Sequence, residues 1–219
     1  MTTYKVIATG SKGNAVVVNG CLLIDCGVGI KALREVERDI KLVLLTHIHG
    51  DHFKPSAVKA LARQHPALRW GCCDWMVDPL IKAGVNPRCI DVYDIKGAQY
   101  CYVSLGIAVE PVKLTHNVPN CGYHIELEDG KKVFYATDTG SLEDIEAKGY
   151  DLYLLEANHG EDEIQERIRV KQERGESFIY ETSAAINHLS REKALAWLDR
   201  NMSDNSTWVR LHEHREAPS

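Results

Sequence analysis

The stretch Thr46-His47-Ile48-His49-Gly50-Asp51-His52 constrains this chain more than any other feature. It follows an apolar run over residues 40–46 that reads as a strand buried on both faces, so the donor side chains fall where a strand ends. In extended chain His47 and His49 project to one side, because side chains alternate. If the chain then turns, Asp51 and His52 enter the same space from another direction. Imidazole and carboxylate in that combination suit zinc, or another first-row divalent ion such as manganese or iron. An exposed polar loop is the ordinary alternative, but H-x-H-x-D-H is rare even in a chain with 10 histidines.

Composition narrows the setting. At 219 residues, with 44% hydrophobic and 26% charged residues, the chain has the make-up of an ordinary globular domain. No repeat or linker divides it, so a single domain over residues 1–219 is expected. The apolar runs are too short to span a bilayer, and the first residues lack a basic start followed by an apolar stretch, so a cytoplasmic protein without a membrane partner is expected. Seven scattered cysteines do not suggest a disulfide framework. The net charge of −5 argues against a purely electrostatic nucleic-acid binder.

Periodicity predicts strands over residues 4–9, 15–19, 21–25, 40–46, 70–73 and 89–92, mainly strand from 100 to 138, and further strands over 151–156 and 207–211. Glu128-Asp129-Gly130-Lys131 reads as a hairpin turn. Helices are predicted over 30–37, from Pro55 onward, and over 75–83, 161–174 and 191–201. Many strands with interspersed helices imply two sheets covered by outer helices.

On these residues the chain resembles the metallo-β-lactamase superfamily, whose signature is H-x-H-x-D-H after a strand. Ser11-Lys12-Gly13-Asn14 followed by Leu22-Leu23-Ile24-Asp25-Cys26-Gly27 is similar to its opening hairpin and Asp-x-Gly. His116 in Leu114-Thr115-His116-Asn117 matches a third metal histidine. Asp138 in Ala136-Thr137-Asp138-Thr139 matches a carboxylate shared by two metals. The later motifs, Glu156-Ala157-Asn158-His159, Asn187-His188-Leu189-Ser190 and Arg210-Leu211-His212-Glu213, resemble the phosphodiesterase and nuclease branch. That branch includes tRNase Z, the phosphonate-pathway cyclic phosphodiesterase and small bacterial and phage exonuclease-like hydrolases.

The resemblance implies an α/β fold, an αββα sandwich of two mixed β-sheets flanked by helices. It implies a dinuclear metal-dependent hydrolase, with His47, His49 and His116 on one cation and Asp51, His52 and His212 on the other. Asp138 would bridge them, and a metal-bridging hydroxide would be the nucleophile. Two divalent ions, zinc or else manganese or iron, are the implied cofactors. Asp51 would orient the nucleophile, His188 would act near the scissile phosphate, and Glu156 would hold His188. His214 competes with His212 as last ligand, and Asn158 and His159 are candidates for lining the substrate pocket. His65 and His124 fall outside the motifs and are expected to be structural or exposed. Departures from the pattern, such as Asn117 and the Glu213-His214 step, bear on substrate choice.

A phosphodiester, such as one within single-stranded nucleic acid, is the expected partner. Contact with its backbone would fall to Arg167, Arg169, Lys171 and Arg174 on the charged helix and to Lys12, unless that helix is an ordinary solvated face. A glyoxalase-like thioester or lactone hydrolase is the alternative reading, and a metal-binding scaffold without turnover a third.

Overall fold

The computed structural model describes residues 2–213. The strand β4 (Leu42–Leu45) shows how the sequence builds the layers. All four side chains are buried, but alternation sends them into different cores. Leu42 and Leu44 point into the space between two sheets, while Val43 and Leu45 point to the covering helices. A continuous apolar run is what a strand covered on both faces requires.

One six-stranded sheet runs in the order β1 (Tyr4–Ala8), β2 (Ala15–Val18), β3 (Leu22–Ile24), β4, β5 (Arg69–Cys73) and β6 (Ile90–Tyr93). Its first three strands are antiparallel, and β3 to β6 are parallel. The other sheet comprises β7 (Tyr100–Tyr102), β8 (Ile107–Leu114), β9 (Asn120–Leu127), β10 (Lys132–Ala136), β11 (Leu152–Glu156) and β12 (Thr207–Leu211), adjacent in that order. There β7 to β10 are antiparallel and β10 to β12 parallel. Both sheets are therefore mixed.

Between the sheets, Val16, Ile24 and Leu44 meet Tyr123, Val133, Tyr135 and Leu154. Outside the first sheet, Val58 and Leu61 of α1 (Pro55–Gln64) and Leu80 of α2 (Val77–Lys82) cover Val43 and Trp70. Outside the second, Trp197 and Leu198 of α5 (Arg191–Asn201) cover Phe134, Tyr153 and Leu155. The fold is the expected αββα sandwich. Two further helices, α3 (Glu161–Glu173) and α4 (Tyr180–Asn187), lie between β11 and α5.

Local differences have physical reasons. Residues 30–37 form a 3₁₀ turn, Ile30–Leu33, followed by turns rather than a helix. The expected helix over 75–83 begins as a 3₁₀ turn at Asp74–Met76, and only Val77–Lys82 is α-helical. The helix α4 was not expected; it is eight residues long and buries only Glu181 and Ala184, so it carries little periodic signal. All seven cysteines are free thiols. Among the described residues no helix is long and apolar enough to cross a membrane.

Candidate metal centre

The candidate residues gather where strands end. His47 to His52 follow β4, His116 follows β8, Asp138 follows β10, Glu156 ends β11 and His212 follows β12. After β4 the chain does turn: the backbone N–H groups of His52 and Phe53 both donate to the His49 carbonyl, at 2.9 and 2.8 Å. That turn brings Asp51 and His52 back over the strand end.

Gly27 makes the turn possible. A β-carbon there would stand 1.7 Å from the Asp51 carbonyl oxygen, so no other residue allows this approach. Asp25, in the same Asp-x-Gly, accepts from the Thr46 backbone N–H at 3.0 Å, the Thr46 hydroxyl at 2.9 Å and the Tyr135 hydroxyl at 3.0 Å. Its Oδ2 lies 2.7 Å from His52 Nδ1. Asp25, Asp138 and His212 all have positive φ, of 60°, 57° and 50°. Three such residues at one centre indicate that the surrounding packing holds strained backbone where donors must be aimed.

His47, His52, His116 and His212 are each pinned through one ring nitrogen so that the other faces the centre. His47 Nδ1 is 3.0 Å from the Thr46 hydroxyl, and its buried Nε2 has no hydrogen-bond partner. His116 Nδ1 is 3.1 Å from the Asn187 carbonyl, and its Nε2 is 3.3 Å from His49 Nδ1. His52 presents Nε2, 2.7 Å from Asp138 Oδ2. The Asn158 amide lies 3.1 Å from His212 Nδ1 and donates to the His212 carbonyl at 2.7 Å, and the ring presents Nε2, 3.3 Å from Asp51 Oδ2 and 3.5 Å from Asp138 Oδ1. This pattern of one nitrogen anchored and one presented is what metal-binding imidazoles show.

Four overlapping sets have ligand atoms within 4.8 Å of one another. They are His47, His49 and His116; Asp51, His52 and His212; His47, His52 and Asp138; and Asp138, Glu156, His188 and His212. Asp138 joins the first two sets through their shared members. The orphaned His47 Nε2 and the convergence of imidazole and carboxylate fit divalent metal ions.

The two sides of the centre differ in charge. Burial pushes the pKa of His47 down, reinforced by the neighbouring His52, and burial also lowers that of His116. For His52 burial opposes charge, but the Asp138 and Asp25 carboxylates outweigh it and raise the pKa to about 10. His212 is likewise raised, against burial, by Asp138, Asp51 and Glu156. Asp138 is held well below the usual carboxylate range because His52 and His212 outweigh its burial.

His188 stands beside these donors. It is the residue after α4, not the head of α5, whose N-cap is Ser190. Its Nδ1 is 2.6 Å from Glu156 Oε1, and its ring stacks on His212 at 5.1 Å. Burial disfavours its charge, but Glu156 outweighs that and raises its pKa. The fully buried Glu156 also accepts from the Thr139 N–H at 3.1 Å.

Other expected residues are placed differently. Asn158 holds His212, and His159 lines a neighbouring cavity. His214 lies outside the described residues. His124 packs on Phe134 and Tyr150 away from the centre, and His65 ends α1. Arg169 pairs with Glu166 and Glu173 of its own helix, and Lys171 with Glu181 of α4, so these two cations are already engaged within the protein. Arg167 turns to the His159 cavity.

Two contributors carried weaker signals. Asp25 was visible as part of the Asp-x-Gly pattern, but its hold on His52 was not. Tyr180 gave none; its pKa is raised by burial first and then by the carboxylates of Asp138, Asp51 and Glu156.

The sequence profile of the β-lactamase superfamily domain matches residues 21–205. A search of curated protein sequences finds no significant match. Human tRNase Z, short form, is similar in structure, with a TM-score of 0.70 at 16% identity, covering 97% of this chain and 92% of that one. YhfI, a metallo-β-lactamase fold protein from Bacillus subtilis, gives 0.72 at 14% identity, with 98% and 87% covered. With the profile covering most of its length and the histidine and aspartate donors assembled at the strand ends, the chain belongs to the metallo-β-lactamase superfamily.

Proposed function

We propose that the protein is a metal-dependent phosphodiesterase that acts on nucleic acid through a dinuclear centre. The carrying observation is the His188–Glu156 pair, 2.6 Å apart, beside a full set of metal donors. A hydrolase needs the donors; a phosphodiesterase also gains from a proton donor for the departing oxygen.

His47, His49 and His116 would hold one cation and Asp51, His52 and His212 the other, with Asp138 between them; the imidazole and carboxylate donors suit zinc. Cations bound there supply Lewis acidity and lower the pKa of a bound water toward about 7. Glu156 keeps His188 charged and fixes its Nδ1, leaving Nε2 as the atom that can give a proton to the leaving group. Asp51, partly exposed and 3.3 Å from His212 Nε2, can orient the attacking water and accept its proton. Asn158 positions His212 rather than substrate. The fold shared with a protein named as a tRNase favours a phosphodiester substrate.

The test is a comparison on metal-loaded protein of bis-p-nitrophenyl phosphate, single-stranded DNA and a thioester. Hydrolysis of the phosphodiesters supports the proposal. Preference for the thioester would place the chain with glyoxalase-like hydrolases, and metal binding with no turnover would make it a scaffold.

A further inference from the structure

Behind His212 lies a second polar site. A cavity of about 190 Å³ sits between the first turns of α3, the start of α5 and the end of β12. Among the described residues its charged walls are Arg167, Arg191 and Arg210 against Glu163 and Glu213, with Asn158 and His159 between them. Cationic groups outnumber anionic ones, and each glutamate already has an arginine: Glu163 pairs with Arg191 at 3.1 Å and Glu213 with Arg210 at 2.7 Å.

Those pairs use few of the available donors. A guanidinium has five N–H groups, and a single contact to a carboxylate leaves most of them for another oxyanion. Two nitrogens of the lining are buried with no hydrogen-bond partner among the described residues: Nδ1 of His159, a residue more than nine-tenths buried, and Nε of Arg191. Buried polar nitrogens are normally satisfied, so these mark a place that the described protein atoms alone do not complete. Arg210 is fixed by its Nε bond to the Ala157 carbonyl at 2.7 Å, so its fork is already oriented.

We propose that this cavity is a binding site for a phosphate-type oxyanion, distinct from the metal centre and coupled to it through Asn158. Asn158 belongs to both: it lines the cavity, and its amide holds His212 at 2.7 Å. Planar, forked arginines favour a tetrahedral oxyanion with several acceptor oxygens over a lone halide. The anion is either a neighbouring phosphate of a bound strand or free phosphate, and the first source rests on the phosphodiesterase reading.

The site can be tested without catalysis. Metal-free protein is titrated with inorganic phosphate while the His159 ring nitrogens are followed by NMR. Wild type should bind, and Arg167→Gln/Arg191→Gln should bind at least tenfold more weakly; His159→Phe, judged by calorimetry, provides a second variant should the double one misfold. Absence of binding in wild type, or equal binding in folded variants, overturns the proposal. The source is then read on metal-loaded protein, with oligonucleotides carrying a neutral methylphosphonate next to the scissile bond. If the strand supplies the anion, that neutral link lowers kcat/KM for wild type, and the double variant is less sensitive to it. If it has no effect while phosphate still binds, free phosphate is the ligand. Failure to cleave any phosphodiester would sink the proposed function and leave the phosphate titration standing.

Discussion

The two sides of the metal centre are built from the same residue types but in opposite electrostatic settings. His47, His49 and His116 form a set with no carboxylate among them, and burial favours neutral rings for His47 and His116. Asp51, His52 and His212 stand against Asp138, with Asp25 behind His52 and Glu156 behind His212. There the carboxylates hold both imidazoles in the charged form. Metal ligands must be deprotonated, so His47 and His116 are ready to bind a cation, whereas His52 and His212 must first release protons. The cluster thus has one side set by burial and one set by charge.

The most damaging change should be Asp138→Ala, because Asp138 touches both sides. It should reduce bound metal and bring hydrolysis below detection while the fold persists, as read by elemental analysis and circular dichroism. His116→Ala and His212→Ala should each remove one equivalent of metal instead of two. If His212→Ala keeps full occupancy and His188→Ala loses metal, their roles are exchanged.

His188→Ala should keep the metals and reduce turnover by about 10²–10⁴-fold, the range for a lost general acid. A smaller effect acts through Asp25. Asp25→Asn removes the carboxylate behind His52 and should weaken metal binding by about 10–100-fold, as for other partners of ligating histidines. The loss should fall on the Asp51, His52 and His212 side. Equal weakening of both sites would mean that the two sides are not separable.

The same contrast explains what could be read in the sequence. The donors after β4 form one continuous motif because a single turn delivers them, and their spacing is visible without any fold. Those of the second sheet arrive one per strand end, at His116, Asp138, Glu156 and His212. No local spacing connects them, so only resemblance to a family could join them. The layers were legible because alternation along strands such as 42–45 is a local property. What stayed hidden depends on approach between distant segments. Gly27 admits the Asp51 carbonyl, Asp25 grips His52, and α4 brings its Asn187 carbonyl to His116. Arg167 and Arg169 were equivalent in sequence; helix geometry pairs Arg169 with Glu166 and Glu173 and turns Arg167 to the cavity.

The unequal proton demand of the two sides can be measured directly. Metal-free protein is titrated with zinc between pH 6 and pH 8 in a calorimeter, in buffers of different ionisation enthalpy, so that protons released per metal are counted. Two equivalents should bind. One should bind with little proton release at the upper end of that range, on the side that holds His47 and His116. The other should release the protons held by His52 and His212 and weaken steeply as the pH falls. A single equivalent, or two that release protons alike, would contradict the account of the centre.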